Sequence, residues 1–365
     1  MRILINATNL KEGGGVQVAQ SICDQLRHFS QHQFVLALSS YINDDNIIFG
    51  SNSEVVRYDL KHNFTTIVLG RDRFLDDLVK TRHIEAVLTV FGPSIWRPKV
   101  AHLCGFARAQ IILKDSPYYK QKSFKEAILY KVWAWSFRRS SDVFYTENPY
   151  ITEILGKFYP KAKVYTVTNF YNQVFDNQEV WRRDIQLPPY KGITCLSVAY
   201  PTPHKNFGII EGIVKHLRVV HPDFSVRFVL TCNAEQWPMS DDVKDNVLFI
   251  GKTDVSQCPF LYQQADIMFM PTLMECFTAT YPEAMRMSVP IVTTNLEFAR
   301  GLCGNAACYY NATDAASAAE AIFRVATDTD YAKSLAENGK EQLKSFDNYE
   351  QRATKLISIL EKITN

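Results

Sequence analysis

Residues 265–295 read ADIMFMPTLMECFTATYPEAMRMSVPIVTTN, and within them two carboxylates, Glu275 and Glu283, stand eight positions apart across a change of periodicity. Ile267–Leu273, led by Asp266, is a run of bulky apolar residues, the pattern of a strand buried on both faces of a parallel sheet. Pro282–Met287 has helical character and is stopped ahead of Pro290. On one continuous helix, eight residues would hold the carboxylates about 12 Å apart. They can share a ligand only if Glu275 lies on the loop at the strand's carboxyl end and Glu283 in the first helical turn. In open α/β sheets that crevice is where ligands bind, and a helix start offers free N–H groups and a positive dipole end to a phosphate. Glu283 admits a second reading: Thr280-x-x-Glu283 fits a capping box, with Pro282 tolerated in the first turn. Glu275 serves neither a core nor a cap.

The flanking sequence repeats the same unit. Before residue 170, strand-like runs (Arg2–Ala7, Phe34–Ser39, Val55–Leu60, Ala86–Phe91, Val100–Phe106, Val143–Thr146, Val164–Thr168) alternate with helical ones (Val16–Phe29, Phe74–Thr81, Phe124–Arg139, Pro149–Phe158). An irregular stretch follows Asn169 and runs to LeuProProTyrLysGly at 187–192, where a linker is expected. A second series then begins, with strands at Ile193–Ala199, Val226–Thr231, Val247–Ile250, Ile267–Met270, Pro290–Thr293 and Ala307–Tyr310, and an amphipathic helix, Tyr349–Ile363, closes the chain. This is the rhythm of two doubly wound parallel sheets. The expected divisions are 1–170, 171–346 and a terminal helix, 347–365, that crosses back to the first domain.

At 365 residues, 47% of them hydrophobic, the chain is too long for one core. No stretch approaches the roughly 18 apolar residues of a membrane span, and the first strand starts at Arg2, so neither a spanning segment nor a secretory leader is expected. The eight cysteines include no Cys-x-x-Cys pair and read as reduced, buried thiols of a cytoplasmic protein. The net charge of +2 conceals an asymmetry: residues 1–170 hold 22 Lys/Arg and 15 Asp/Glu (+7), the remainder 18 and 23 (−5). Residues 97–139 alone carry ten basic side chains against Asp115 and Glu126, interleaved with Tyr, Trp and Phe. Two readings stand: a peripheral membrane surface that attracts anionic head groups, or a solvated helix whose aromatics pack inward. Nucleic acid is disfavoured, because the charge is confined to one part of a nearly neutral chain.

Two loops complete the candidate site. Asn6–Asn9 ends the first strand and Gly13-Gly14-Gly15 opens the next helix, letting backbone approach a ligand. The loop lacks G-x-G-x-x-G spacing and the second strand ends in Ser39-Ser40, which disfavours dehydrogenase chemistry. In the second series, Tyr200-Pro201-Thr202-Pro203-His204-Lys205-Asn206 separates a strand from a helix. A cation there, ahead of a helix, is unfavourable unless an anion such as a diphosphate compensates it. Asp328-x-Asp330 falls between two helices and reads as a solvated turn rather than a metal site.

Together the Glu275-x7-Glu283 pair, AlaAspIleMetPheMetProThr before it, ProIleValThrThrAsn after it and the HisLysAsn turn resemble the retaining GT-B glycosyltransferases of the fourth sequence family, which use nucleotide sugars in bacterial polysaccharide and lipopolysaccharide assembly. The resemblance implies an α/β fold of two Rossmann-like domains facing across a cleft, and metal-independent transfer from a UDP- or GDP-sugar to a lipid-linked or oligosaccharide acceptor, with no cofactor. It implies that Glu283 accepts hydrogen bonds from the nucleotide ribose, that Glu275 faces the donor sugar, and that Lys205, with His204 as a second donor, neutralises the leaving diphosphate. It further implies that the amides of Phe277, Thr278, Ala279 and Thr280 hold the β-phosphate, that Gly14 and Gly15 close the site, and that Gly251 lies near the base. His102 and Arg108 are candidates for sugar or acceptor contact, and a core role for His102 stays open. Two departures stand out: Tyr200 replaces the family's usual arginine, leaving Arg108 or Arg300 as substitutes, and Thr278 replaces a glycine. They keep open a catalytically silent sugar-nucleotide-binding subunit; a sugar-nucleotide epimerase on the same plan is a further alternative.

Overall fold

The computed structural model describes residues 1–11, 13–44, 47–63, 65–120 and 122–365. The chain divides into two compact units. The first comprises 1–114, 122–169 and 347–365, the second 115–121 and 170–346.

In the first unit the order is β1 (Arg2–Ala7), α1 (Gly14–Gln25), β2 (Gln33–Leu38), β3 (Ser53–Arg57), α2 (Arg73–Thr81), β4 (Ala86–Thr89), β5 (Ala101–Gly105) and α3 (Ala109–Ile112). A short helix of the second unit, α4 (Pro117–Lys120), is followed in the first by α5 (Phe124–Ser140), β6 (Val143–Thr146), α6 (Pro149–Phe158) and β7 (Lys163–Thr166). The seven strands are parallel, in the order β3-β2-β1-β4-β5-β6-β7. β1 and β4 are buried almost throughout, as strands covered by helices on both faces must be. The chain's last helix belongs to this unit: its Leu356, Ile357 and Leu360 pack with Ile3, Ile22 and Leu88 in one apolar core.

The second unit contains β8 (Ile193–Ser197), α7 (Ile209–Val220), β9 (Val226–Leu230), β10 (Val247–Phe249), α8 (Cys258–Gln263), β11 (Ile267–Met270), α9 (Thr280–Arg286), β12 (Ile291–Thr294), α10 (Glu297–Cys303), β13 (Ala307–Tyr310), α11 (Ala315–Thr327) and α12 (Thr329–Leu343); α13 (Tyr349–Thr364) is the terminal helix just described. Its six parallel strands run β10-β9-β8-β11-β12-β13. Both sheets are doubly wound α/β sheets of the expected class. In each, the order reverses direction beside the first strand, between β1 and β4 and between β8 and β11. A crevice opens at such a switch point, at the strands' carboxyl ends.

The irregular stretch after Asn169 is packed rather than free. Asn172 and Asn177 accept bonds from the amides of Val174 and Glu179, each two residues on, forming 3-10 turns over 173–176 and 178–180. The buried ring of Phe175 then sits 5.9 Å from that of Tyr262 on α8. All eight cysteines are unpaired and buried. Among the described residues, no helix is long and apolar enough to cross a membrane.

Candidate functional site

The switch point of the second sheet gathers the candidate side chains. β8 ends at Ser197 and its chain runs through Tyr200 to a 3-10 turn, Pro203–Lys205, closed by Asn206 in the left-handed region at φ 55°. β11, paired with β8, ends at Met270 and leads through Thr272 and Glu275 to α9. Adjacent parallel strands thus deliver Lys205 and Glu275 to the same end of the sheet. Lys205 Nζ lies 2.5 Å from Glu275 Oε1, with both side chains nearly excluded from solvent. The same oxygen accepts from Thr272 Oγ1 at 3.1 Å and lies 3.5 Å from His204 Nε2, which is 3.2 Å from Thr202 Oγ1.

These loops are fastened to each other. Leu273 N donates to His204 O at 2.8 Å, Ser116 Oγ donates to Leu273 O at 2.7 Å, and Thr294 Oγ1 donates to Thr272 O at 2.9 Å. The Tyr118 ring meets His204 edge-on at 5.8 Å. Burial alone would push the Glu275 carboxyl up, but the Lys205 charge and the bonds from His204 and Lys205 overcome it and hold the pKa at about 2. Glu275 is therefore an anion throughout the physiological range. A desolvated pair of this kind exists at the expense of hydration, which each partner regains only by finding another counter-group.

Glu283 is held differently. α9 starts at Thr280, one residue earlier than a capping box requires: its N-cap is Ala279, already in the helical region, and no side chain caps it. Thr280 Oγ1 instead pairs with Thr278 Oγ1 at 2.9 Å. Glu283 consequently falls in the fourth helical position, its own amide bonded to Ala279 O at 2.9 Å, and the capping reading is corrected. Its Oε2 accepts from the Tyr262 hydroxyl at 3.1 Å, a group also 3.3 Å from Thr280 O. Burial pushes the Glu283 pKa up to about 7, with the Tyr262 bond pulling against it. Two carboxylates on one strand-loop-helix segment thus have pKa values pushed far apart by their surroundings, a feature typical of working sites.

Gly251, just after β10, has φ +74°, a backbone that a side chain would strain, and lies at the same end of the sheet. Tyr200, in the expected arginine's place, is 59% exposed. Arg300 is engaged elsewhere: its Nε is 2.5 Å from Asn295 Oδ1 and its guanidinium sits 4.7 Å from the Tyr309 ring. Asp328 caps α12 by accepting from Tyr331 N at 2.9 Å, in keeping with a turn.

The remaining candidates belong to the first unit. Gly14 and Gly15 open α1 behind Gly13, whose φ is +72°. Arg108 precedes α3, its guanidinium 4.6 Å from the Trp133 ring. His102 is a core residue rather than a sugar contact: it is buried within β5, Nε2 lies 2.8 Å from Thr89 Oγ1 and Nδ1 2.8 Å from Ser140 O. Burial pushes its pKa down to about 4, so the ring is neutral. Sequence reasoning missed Thr272, Ser116, Tyr118 and Tyr262. Thr272 lay inside the decisive stretch, and nothing local marks Tyr262, Ser116 or Tyr118.

Residues 233–342 match the family model described as glycosyl transferases group 1. The O-antigen chain mannosyltransferase RfbU of Salmonella typhimurium is 22% identical over 214 residues, 56% of this chain and 57% of that protein, so the similarity spans little more than half of the relative. A sucrose-phosphate synthase from Thermosynechococcus elongatus superposes with a TM-score of 0.72 at 14% identity, covering 99% of this chain and 98% of that one. HepE of Anabaena in complex with UDP gives 0.67 at 14%, covering 99% and 100%. The superpositions establish a shared GT-B fold and, at such low identities, the fold alone. Residues 233–342, the stretch that includes both carboxylates, are thus similar to the group 1 glycosyl transferases, and the chain as a whole shares their fold.

Proposed function

We propose that the protein is a retaining, metal-independent glycosyltransferase that moves a sugar from a UDP- or GDP-linked donor to a lipid-linked or oligosaccharide acceptor in bacterial surface polysaccharide assembly. The observation that carries this reading is the desolvated Lys205–Glu275 pair at the switch point of the second sheet. The O-antigen role of the Salmonella relative and the UDP held by HepE support it.

In this reading Lys205, with His204 beside it, takes the donor's β-phosphate, and the amides of Phe277 to Thr280 share its charge. Glu283 accepts from the ribose hydroxyls and Glu275 from the sugar hydroxyls, where its negative charge also stabilises positive charge developing at the anomeric carbon. The bond from that carbon to the phosphate oxygen breaks as the acceptor oxygen approaches the same face. The departing phosphate oxygen takes the acceptor's proton, so no separate base is required. Catalysis is then positioning plus electrostatic stabilisation of the leaving diphosphate. Gly251 lies near the base. The enzyme works at the cytoplasmic face of the membrane, where the basic and aromatic stretch 97–139 meets anionic lipid.

Transfer assays with a panel of UDP- and GDP-sugars test the reading: Glu275→Ala and Glu283→Ala should each lower turnover at least a hundredfold in a folded protein. Unchanged turnover in both would sink it. A second reading, a silent nucleotide-binding subunit, draws on Tyr200 and Thr278. It predicts calorimetric binding of UDP with no product from the wild-type chain. Donor isomerisation without any acceptor would indicate an epimerase instead.

A further inference from the structure

The solvent side of α5 is apolar. Surface helices ordinarily bury an apolar stripe and expose a polar one. α5 buries Tyr130 and Phe137, yet it also exposes Phe124 (80%), Ile128, Val132 and Trp135 at successive turns of one face. The stripe continues off the helix: Arg139, whose guanidinium lies 4.3 Å from the Trp135 ring, bonds to the carbonyls of Ile67 and Val68, in the turn that exposes Val68 and Leu69. A contiguous exposed apolar patch of this kind marks an interaction surface.

Charge identifies the occupant. Lys125, Lys131 and Arg138 are exposed along the same helix. Its one acidic residue, Glu126, is spent in the capping box with Ser123, bonding the Ser123 amide at 2.7 Å. An apolar stripe ending in Trp and rimmed by cations that form no ion pair among the described residues suits the boundary between anionic head groups and acyl chains, where both kinds of side chain are satisfied together. A protein partner would need its own acidic rim around an apolar groove. A second copy of this chain would set the same cations against one another.

We infer that the outward stripe of α5, extended by Val68 and Leu69, inserts into the surface of an anionic lipid bilayer. This deepens the membrane contact proposed above: the apolar side chains, not the basic stretch as a whole, supply the part of the binding that salt leaves in place. It is independent of the transfer chemistry, because no residue of the stripe belongs to the donor site.

Flotation with vesicles of phosphatidylglycerol and phosphatidylcholine tests it. Phe124→Ser/Ile128→Ser should weaken binding at least tenfold at both low and high salt, while thermal unfolding and UDP binding stay at the wild-type level. Lys125→Glu/Lys131→Glu should weaken it mainly at low salt. Trp135 fluorescence should be quenched by brominated acyl chains, and Trp135→Phe should remove that quenching. Serine variants that bind like wild type, with binding abolished by salt alone, would overturn insertion and leave only electrostatic attraction. Absence of binding to any vesicle would overturn the membrane contact too. A wild-type dimer that the serine variants convert to monomer would assign the face to a second copy and overturn the inference.

Discussion

At the residue scale, Lys205 and Glu275 satisfy each other in the free protein, so a diphosphate must compete with a carboxylate for the same ammonium. Glu275→Gln should therefore bind UDP several-fold more tightly than wild type while turning over poorly, and Lys205→Ala should bind it at least tenfold more weakly, in keeping with the worth of a charge-assisted hydrogen bond. Titration calorimetry reads both; looser binding by Glu275→Gln would show that the pair is not in competition with the ligand. Tyr262 has a comparable hold on Glu283, donating to it at 3.1 Å. Cys258, also on α8, feels the Glu283 charge as well: burial first, and then that carboxylate, push its thiol up. A bond to the ionised form lowers the Glu283 pKa, so Tyr262→Phe should move the midpoint for donor KM upward from near 7, with kcat at high pH little changed. A profile that does not move would deny Tyr262 this role. Glu275 was legible in the sequence because a charge directly after a buried strand has no structural excuse, and Glu283 through its spacing from it, although a helix cap could also have explained it. Their partners were not, since hydroxyls such as Thr272 and Tyr262 look like any strand end or helix core until the fold brings them within 3.1 Å.

At the element scale, buried parallel strands were the most readable features, because near-continuous apolar runs bounded by turns leave little choice of period; the observed β1, β6, β11 and β13 match the expected limits. Helix α10 went unread: it is seven residues long, and Gly301 lies inside it. The stretch after Asn169 was taken for a linker because its order comes from side-chain turns at Asn172 and Asn177 and from aromatic burial, which periodicity does not register. α13 was legible as an amphipathic helix, whereas its fastening was not. Asp347 Oδ2 accepts from Thr168 N at 3.0 Å and from Thr168 Oγ1 at 2.9 Å, and Oδ1 lies 2.6 Å from Lys355 Nζ. These bonds tie the start of the terminal helix to the end of the β7 segment, positions 179 apart in sequence. Asp347→Ala leaves a buried amide and hydroxyl without their acceptor and should cost about 1–3 kcal/mol. Hydrogen exchange should quicken across α13 before it does in β1; protection equal to wild type in α13 would mean that packing of Leu356 and Leu360 alone holds the helix.

At the scale of the whole molecule, each unit buries a carboxyl whose pKa is pushed to about 7: Glu147 in the first, by burial against the opposing pull of Arg352, and Glu283 in the second. The sign of their effect on stability is the reverse of an ordinary salt-bridged acid. An unfolded glutamate loses its proton near 4.3. Between there and about 7 the folded chain holds a proton that the unfolded chain has released, so stability falls as pH rises and the full penalty stands above 7. For Glu283 this is on the order of 3 kcal/mol. Carrying it is reasonable only if a ligand repays the ionised form, as ribose hydroxyls would, and functional groups commonly lower the stability of the free protein. Glu283→Gln keeps an acceptor for Tyr262 and removes the charge. The variant should melt several degrees above wild type at pH 8 and alongside it at pH 5, while UDP raises the melting temperature of wild type and moves the variant far less. Melting curves at the two pH values, with and without UDP, separate the cases: a variant that tracks wild type at both would show that Glu283 is not a strained anion. A variant that gains stability at pH 8 yet responds fully to UDP would keep the burial penalty and remove the ribose contact.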